Sequence, residues 1–191
     1  MEKIRAFIAV ELPSFLKEEL GRVESILKAG NTTPVKWVDF ESIHLTLKFL
    51  GDIESSRVGE IIEGIKNACV GISPFELKIK GLGVFPNPAR TRIAWVGLVD
   101  STDELSLLQR NIESEMEKLE YERETRKFSP HLTLARVRDQ ATPDERKRFG
   151  NLVTATAFSS ERITVNSVSL MQSRLTRQGA LYTRLGSIRL V

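Results

Sequence analysis

The chain has little of the side chains most used for catalysis and metal binding. Among 191 residues there is one cysteine and there are two histidines. A single cysteine, Cys69, excludes an intramolecular disulfide and fits a reducing compartment. It lies in an apolar helical stretch and reads as core. No HExxH pattern, no cysteine cluster and no acid directly beside either histidine is present, so a histidine-based metal site lacks its third ligand and none is expected. The one apolar run near the start, Ala6-Phe7-Ile8-Ala9-Val10, is too short for a signal peptide or a membrane span. The expectation is a cytoplasmic protein with no membrane partner. No low-complexity tract or long linker divides the chain, and its length fits one domain or two small lobes. Excess charge is also lacking: the net value is only +3. The distribution says more than the sum. After Glu161 there is no acid, but there are five arginines, Arg162, Arg174, Arg177, Arg184 and Arg189. Arginine favours bidentate contacts with phosphate.

What is present is a repeat that uses up every histidine. His44-Leu45-Thr46-Leu47 recurs as His131-Leu132-Thr133-Leu134, 87 residues later. At ordinary residue frequencies the pair is roughly a one-in-a-million coincidence. In a strand, side chains alternate between faces. Each motif therefore presents one imidazole and one hydroxyl on one face and two leucines on the other. An imidazole can give or take a proton near neutral pH. Threonine adds a stiffly held hydroxyl donor. Two such strands facing each other suit in-line displacement at a phosphate. One histidine would activate the nucleophile and the other would protonate the leaving oxygen. Other readings are two ordinary buried strands, a metal site, and a phosphate-binding module without turnover.

The remaining pattern reads as α+β. A strand is expected near Arg5–Glu11 and a helix at about Ser14–Ala29, with Leu16, Leu20, Val23 and Leu27 on one stripe. An extended piece at Val35–Val38 and the first motif strand, Ile43–Leu50, come next, with Gly51-Asp52 as its end. Then come a helix near Ser56–Val70, a strand at Phe75–Lys80 and a loop over Gly81-Leu82-Gly83-Val84-Phe85-Pro86-Asn87-Pro88. Arg92–Leu98 reads as a strand. Thr102–Glu120 reads as a helix opened by a Ser101/Glu104 capping box. The second motif strand is His131–Val137, and Thr142-Pro143-Asp144-Glu145 opens a short helix. Strands near Ala155–Ile163, Val165–Gln172 and Ala180–Leu185 finish the chain, the last two joined by a polar turn over Ser173–Gly179. Both halves repeat strand–helix–strand–helix, which hints at duplication. The predicted architecture is two lobes related by a pseudo-twofold. Each is an antiparallel sheet with helices outside, and the two motif strands face each other across a cleft.

Several stretches, in order, carry a family resemblance. They are Phe7 through Pro13, His44 through Asp52, Gly81 through Arg90, Phe128 through Arg136, and Ser173-Arg174-Leu175. Together they resemble the bacterial and archaeal RNA 2′,3′-cyclic phosphodiesterases, also called 2′-5′ RNA ligases, of the two-histidine phosphoesterase superfamily. The resemblance implies a single two-lobed domain, with lobes free to exchange terminal segments. It implies no cofactor, a metal-independent reaction and RNA with a 2′,3′-cyclic phosphate end as substrate. The same chemistry with an RNA 5′-hydroxyl as nucleophile in place of water would give the possible 2′-5′ ligation. By motif position His44 and His131 would be catalytic, His131 as base and His44 as acid, with Thr46 and Thr133 on the substrate. Turnover of another nucleotide by the same two histidines is an alternative, and a monomer is expected. The family also uses an arginine after the second motif, here Arg136, although strand parity turns Arg136 away from His131 and Thr133 unless the strand bulges or ends there. Its counterpart after the first motif is Phe49, which could stack on a base. Arg126 and Tyr182 are further substrate-binding candidates. Trp37 and Trp95 are assigned to the core or its rim.

Overall fold

Alternating apolar and polar residues at both motifs build the two strands on which the architecture rests. In the computed structural model, which describes residues 2–176 and 179–191, β3 spans His44–Glu54 and β6 spans His131–Val137. Leu45, Leu47, Leu132 and Leu134 are buried on one face of these strands, as the alternation requires. Arg177, one of the C-terminal arginines, lies outside the described residues.

Two antiparallel sheets result. The first has the order β3-β1-β8-β9, with β1 at Lys3–Glu11, β8 at Ser167–Leu175 and β9 at Ala180–Arg189. The second has the order β2-β6-β5-β4-β7, with β2 at Val35–Trp37, β4 at Phe75–Phe85, β5 at Ile93–Asp100 and β7 at Ile163–Val165. Among the described residues, four α-helices complete the fold: α1 (Ser14–Ala29), α2 (Val58–Ala68), α3 (Glu104–Lys118) and α4 (Pro143–Ala155). Leu16, Leu20, Val23 and Leu27 form the buried stripe of α1. Each such side chain contributes roughly 1.5–3 kcal/mol of burial. The apolar faces of both sheets and the helix stripes belong to one buried cluster that runs through the chain.

The structure corrects four local expectations. First, β3 does not stop at Gly51-Asp52; Gly51 takes φ +72° and the strand continues beside β1 to Glu54. Second, the stretch from Gly81 to Phe85 is not loop but the second half of β4, paired with β5 after a register shift. Its glycines serve packing as well as bending. A Cβ on Gly83 would sit 2.2 Å from the Trp95 ring. Third, Ser101 and Glu104 form no capping box. Asp100 takes that part instead, accepting from Thr102 N–H at 3.0 Å and from Leu105 N–H at 2.8 Å. Fourth, no strand fills Ala155–Ile163; α4 ends at Ala155 and β7 begins at Ile163. The α4 capping box between Thr142 and Glu145 is formed as expected.

Candidate active site

Each motif histidine is held by its own strand entry in the same way. His44 Nδ1–H donates to the carbonyl oxygen of Ser42 at 2.9 Å, and His131 Nδ1–H donates to that of Ser129 at 2.7 Å. A carbonyl only accepts, so Nδ1 carries the proton in both rings. Nε2 is then left to take or give a proton. The partner lies two residues before the histidine in both copies. The repeat is thus longer than four residues: Ser-x-His-Leu-Thr-Leu occurs at Ser42 and again at Ser129. That extension was legible in the sequence as the signal of a shared anchoring bond.

Aromatic rings complete the seats. Phe7 of β1 stacks on His44 with centroids 4.5 Å apart and planes 26° from parallel, and Tyr182 of β9 meets the same imidazole edge-on at 5.0 Å. Phe85 of β4 meets His131 edge-on at 5.1 Å. Burial between Phe7 and Tyr182 holds His44 below the ordinary imidazole range, opposed by the Ser42 carbonyl and the Glu11 carboxylate. Glu11 is the cross-strand partner of His44 and is itself clamped by the Arg184 guanidinium at 2.7 and 2.8 Å. Burial pushes the Tyr182 phenol up while the charges of Arg136 and Arg5 pull it down.

A bulge repeated in both motif strands redirects the side chains after each threonine. In β3, Ala9 pairs with Thr46 and Ile8 with Lys48, so Leu47 is the extra residue. In β6, Trp95 pairs with Thr133 and Ala94 with Ala135, so Leu134 is the extra residue. Two consecutive residues therefore turn inward, Leu47 with Lys48 and Leu134 with Ala135. The next residue returns to the outer face. Phe49 and Arg136 consequently line the same cleft as the histidines. Strict parity, which turned Arg136 away, is corrected by this bulge.

The cleft lies between the two sheets and has a volume of about 870 Å³. His44, Thr46 and Phe49 line it from one sheet, and His131, Thr133 and Arg136 from the other. Residues that the sequence did not mark for the site also line it, among them Arg5, Lys36 and Ser173. Trp37 lines it too, at the rim of the core. Arg126 does not. It sits in the loop before β6, where its backbone N–H donates to Glu124. Cys69 is buried, as expected, and burial pushes its thiol up to about 11. Among the described residues, no group of three histidine, cysteine or acidic side chains is placed to hold a metal ion, and no helix is long and apolar enough to cross a membrane.

Comparison with known proteins gives the same outline. An RNA 2′,3′-cyclic phosphodiesterase of Methanothermobacter thermautotrophicus is 36% identical over 188 residues, covering 98% of this chain and all of the relative. One from Aquifex aeolicus is 30% identical, covering 96% of this chain and 95% of the relative. A crystal structure of a Thermus thermophilus protein superposes with a TM-score of 0.81 at 23% identity, covering 98% of both chains. Escherichia coli LigT, crystallised with 3′-AMP, superposes with a TM-score of 0.78 at 22% identity, covering 99% of both. The family described as LigT-like phosphoesterase matches twice, over 10–95 and over 96–182, one motif in each match. With a repeat that spans nearly all of its length and a histidine strand in each half, the chain belongs to the LigT-like phosphoesterase family.

Proposed function

We propose that the cleft hydrolyses 2′,3′-cyclic phosphate ends of RNA to 2′-phosphomonoesters, without a metal, through acid–base catalysis by His44 and His131. The observation that carries this reading is the matched pair of Nδ1-anchored imidazoles, each with a threonine two residues on, lining one cleft from opposite sheets. The names of relatives at 30% identity and above point to the same substrate. Water attacks phosphorus and the bond to the ribose 3′-oxygen breaks. His131 Nε2 takes the proton from water, and His44 Nε2 gives one to O3′. Thr46, Thr133 and Arg136 bind the non-bridging oxygens, where charge-assisted hydrogen bonds are strongest. Phe49 offers its exposed ring to the terminal base. With an RNA 5′-hydroxyl in place of water, the same attack opens the ring and forms a 2′-5′ linkage, O3′ again leaving with a proton from His44. The whole chain acts as one two-lobed domain.

The test is turnover of RNA ending in a 2′,3′-cyclic phosphate, with EDTA present and with analysis of which hydroxyl keeps the phosphate. The expected product is the 2′-phosphate, and chelation leaves the rate unchanged. His44→Ala and His131→Ala each lose about 10²-fold or more. A 3′-phosphate product, metal-restored activity, or a variant retaining a tenth of the rate would overturn the scheme.

A further inference from the structure

Beyond the two motifs, the wall of the cleft carries a second cationic position. Arg5 lies on β1, two residues from Phe7, the ring that seats His44. By strand rise the two backbone positions are roughly 6.8 Å apart, so Arg5 lies further along the cleft than the His44 seat. Arg5 is in register with Ser173 on β8, and Ser173 is in register with Tyr182 on β9. The three form one cross-strand row, and all three line the cleft. Arg136 closes the row from the opposite sheet, near enough that its charge and that of Arg5 both act on the Tyr182 phenol. Among the described residues, neither Arg5 nor Arg136 forms an ion pair with an acid, unlike Arg184, which is held by Glu11. The side chain of Arg5 is solvent-exposed. Beyond the row the cleft is bordered by exposed apolar side chains, Leu175 at 76% and Leu181 at 57% exposure.

An unpaired guanidinium, a hydroxyl and a protonated phenol in one row make a donor set for a phosphate. The leucines beyond it give a neighbouring base an apolar surface to lie against. Hydrolysis of the terminal ring requires one phosphate at the two histidines. A second donor set along the same wall of the cleft fits the next phosphate of the chain. We infer that Arg5, with Ser173 and Tyr182, forms a subsite for the phosphate on the 5′ side of the terminal nucleotide. The enzyme thereby prefers a chain end to a lone cyclic nucleotide. This rests on the function proposed above and adds the reading of the upstream phosphate.

The experiment compares two substrates that differ by that phosphate alone: adenosine 2′,3′-cyclic phosphate with and without a 5′-phosphate. Wild type is expected to favour the 5′-phosphorylated form in kcat/KM, with the preference falling as salt rises. Arg5→Gln should lose about tenfold or more on the 5′-phosphorylated substrate and stay within about twofold on the other. Arg5→Lys should recover part of the loss. Equal losses on both substrates, or no loss on either, would overturn the subsite. If wild type turned over neither, the function proposed above would fail and the subsite would be judged by calorimetry. Adenosine 2′,5′-bisphosphate should then bind wild type tighter than adenosine 2′-monophosphate, and Arg5→Gln should erase the difference. No such difference in wild type would overturn it.

Discussion

At the scale of single residues the two histidines share an anchor but not an environment. Both donate Nδ1–H to a carbonyl two residues back, yet only His44 is enclosed between an aromatic face and an aromatic edge. Burial disfavours its charged form and holds its pKa down. In the proposed scheme His44 is the acid, so the free enzyme must protonate it before the leaving oxygen can depart. One limb of kcat/KM should therefore fall below the ordinary imidazole value of about 6.5. A phosphate anion beside the ring favours imidazolium, so the same limb of kcat should lie higher than that of kcat/KM. His44→Gln should remove this limb from the residual rate. Removal of the other limb instead would exchange the two roles. Nothing in the sequence distinguished the two histidines, since their motifs are alike. The difference comes from Phe7 and Tyr182, which lie far from His44 along the chain and reach it through strand pairing.

At the scale of elements the repeated bulge does the most to shape the site. It brings Phe49 and Arg136 to the cleft, and it sends Lys48 the other way. Lys48 is buried, and its ammonium donates to Glu113 of α3 at 2.6 Å and to the carbonyl of Glu122 at 2.7 Å. Glu113 also accepts from Gln109 at 3.2 Å. These bonds tie β3 to α3 and to the segment leading toward β6. Removing one charge leaves the other buried and unpaired, which typically costs about 3–5 kcal/mol. Lys48→Ala should therefore destabilise by about 3 kcal/mol in urea denaturation. The double change Lys48→Met with Glu113→Leu should recover most of that loss. If the double variant were no better than the single one, the ion pair would not be the source of the effect. Sequence pattern found most elements, because α1, β6 and the α4 box arise from periodicity and capping. It could not place the bulges, since an inserted residue leaves no mark on composition and shifts parity only after it. It also read the Gly81–Phe85 stretch as loop. There the glycines make room for Trp95 within a strand, and propensity alone cannot see a ring on the neighbouring strand.

At the scale of the whole molecule, the two sheets do not coincide with the two halves of the repeat. β4 belongs to the first half by sequence but pairs with β5, most of which lies in the second. The hairpin β8–β9 belongs to the second half but pairs with β1 of the first. β2 crosses over to pair with β6. Each wall of the cleft is thus completed by strands from the other half, and neither half can bury its own sheet alone. Most of the ladder joins residues distant in sequence, so its closure entropy is recovered only when both walls form. Unfolding should then be a single cooperative transition. Tryptophan fluorescence, which reports the β2–β6–β5 wall through Trp37 and Trp95, should give the same urea midpoint as far-UV circular dichroism. Hydrogen exchange should give β1 amides the same opening free energy as β5 amides. Fragments 1–92 and 93–191, expressed apart, should stay unfolded. Inorganic phosphate bound between the walls should raise the one midpoint without splitting it, adding about 2.7 kcal/mol of stability at a hundred times its Kd. Two resolved transitions, or a folded fragment, would mean that the walls form independently, and the paired histidines would then owe their alignment to docking rather than to a shared fold.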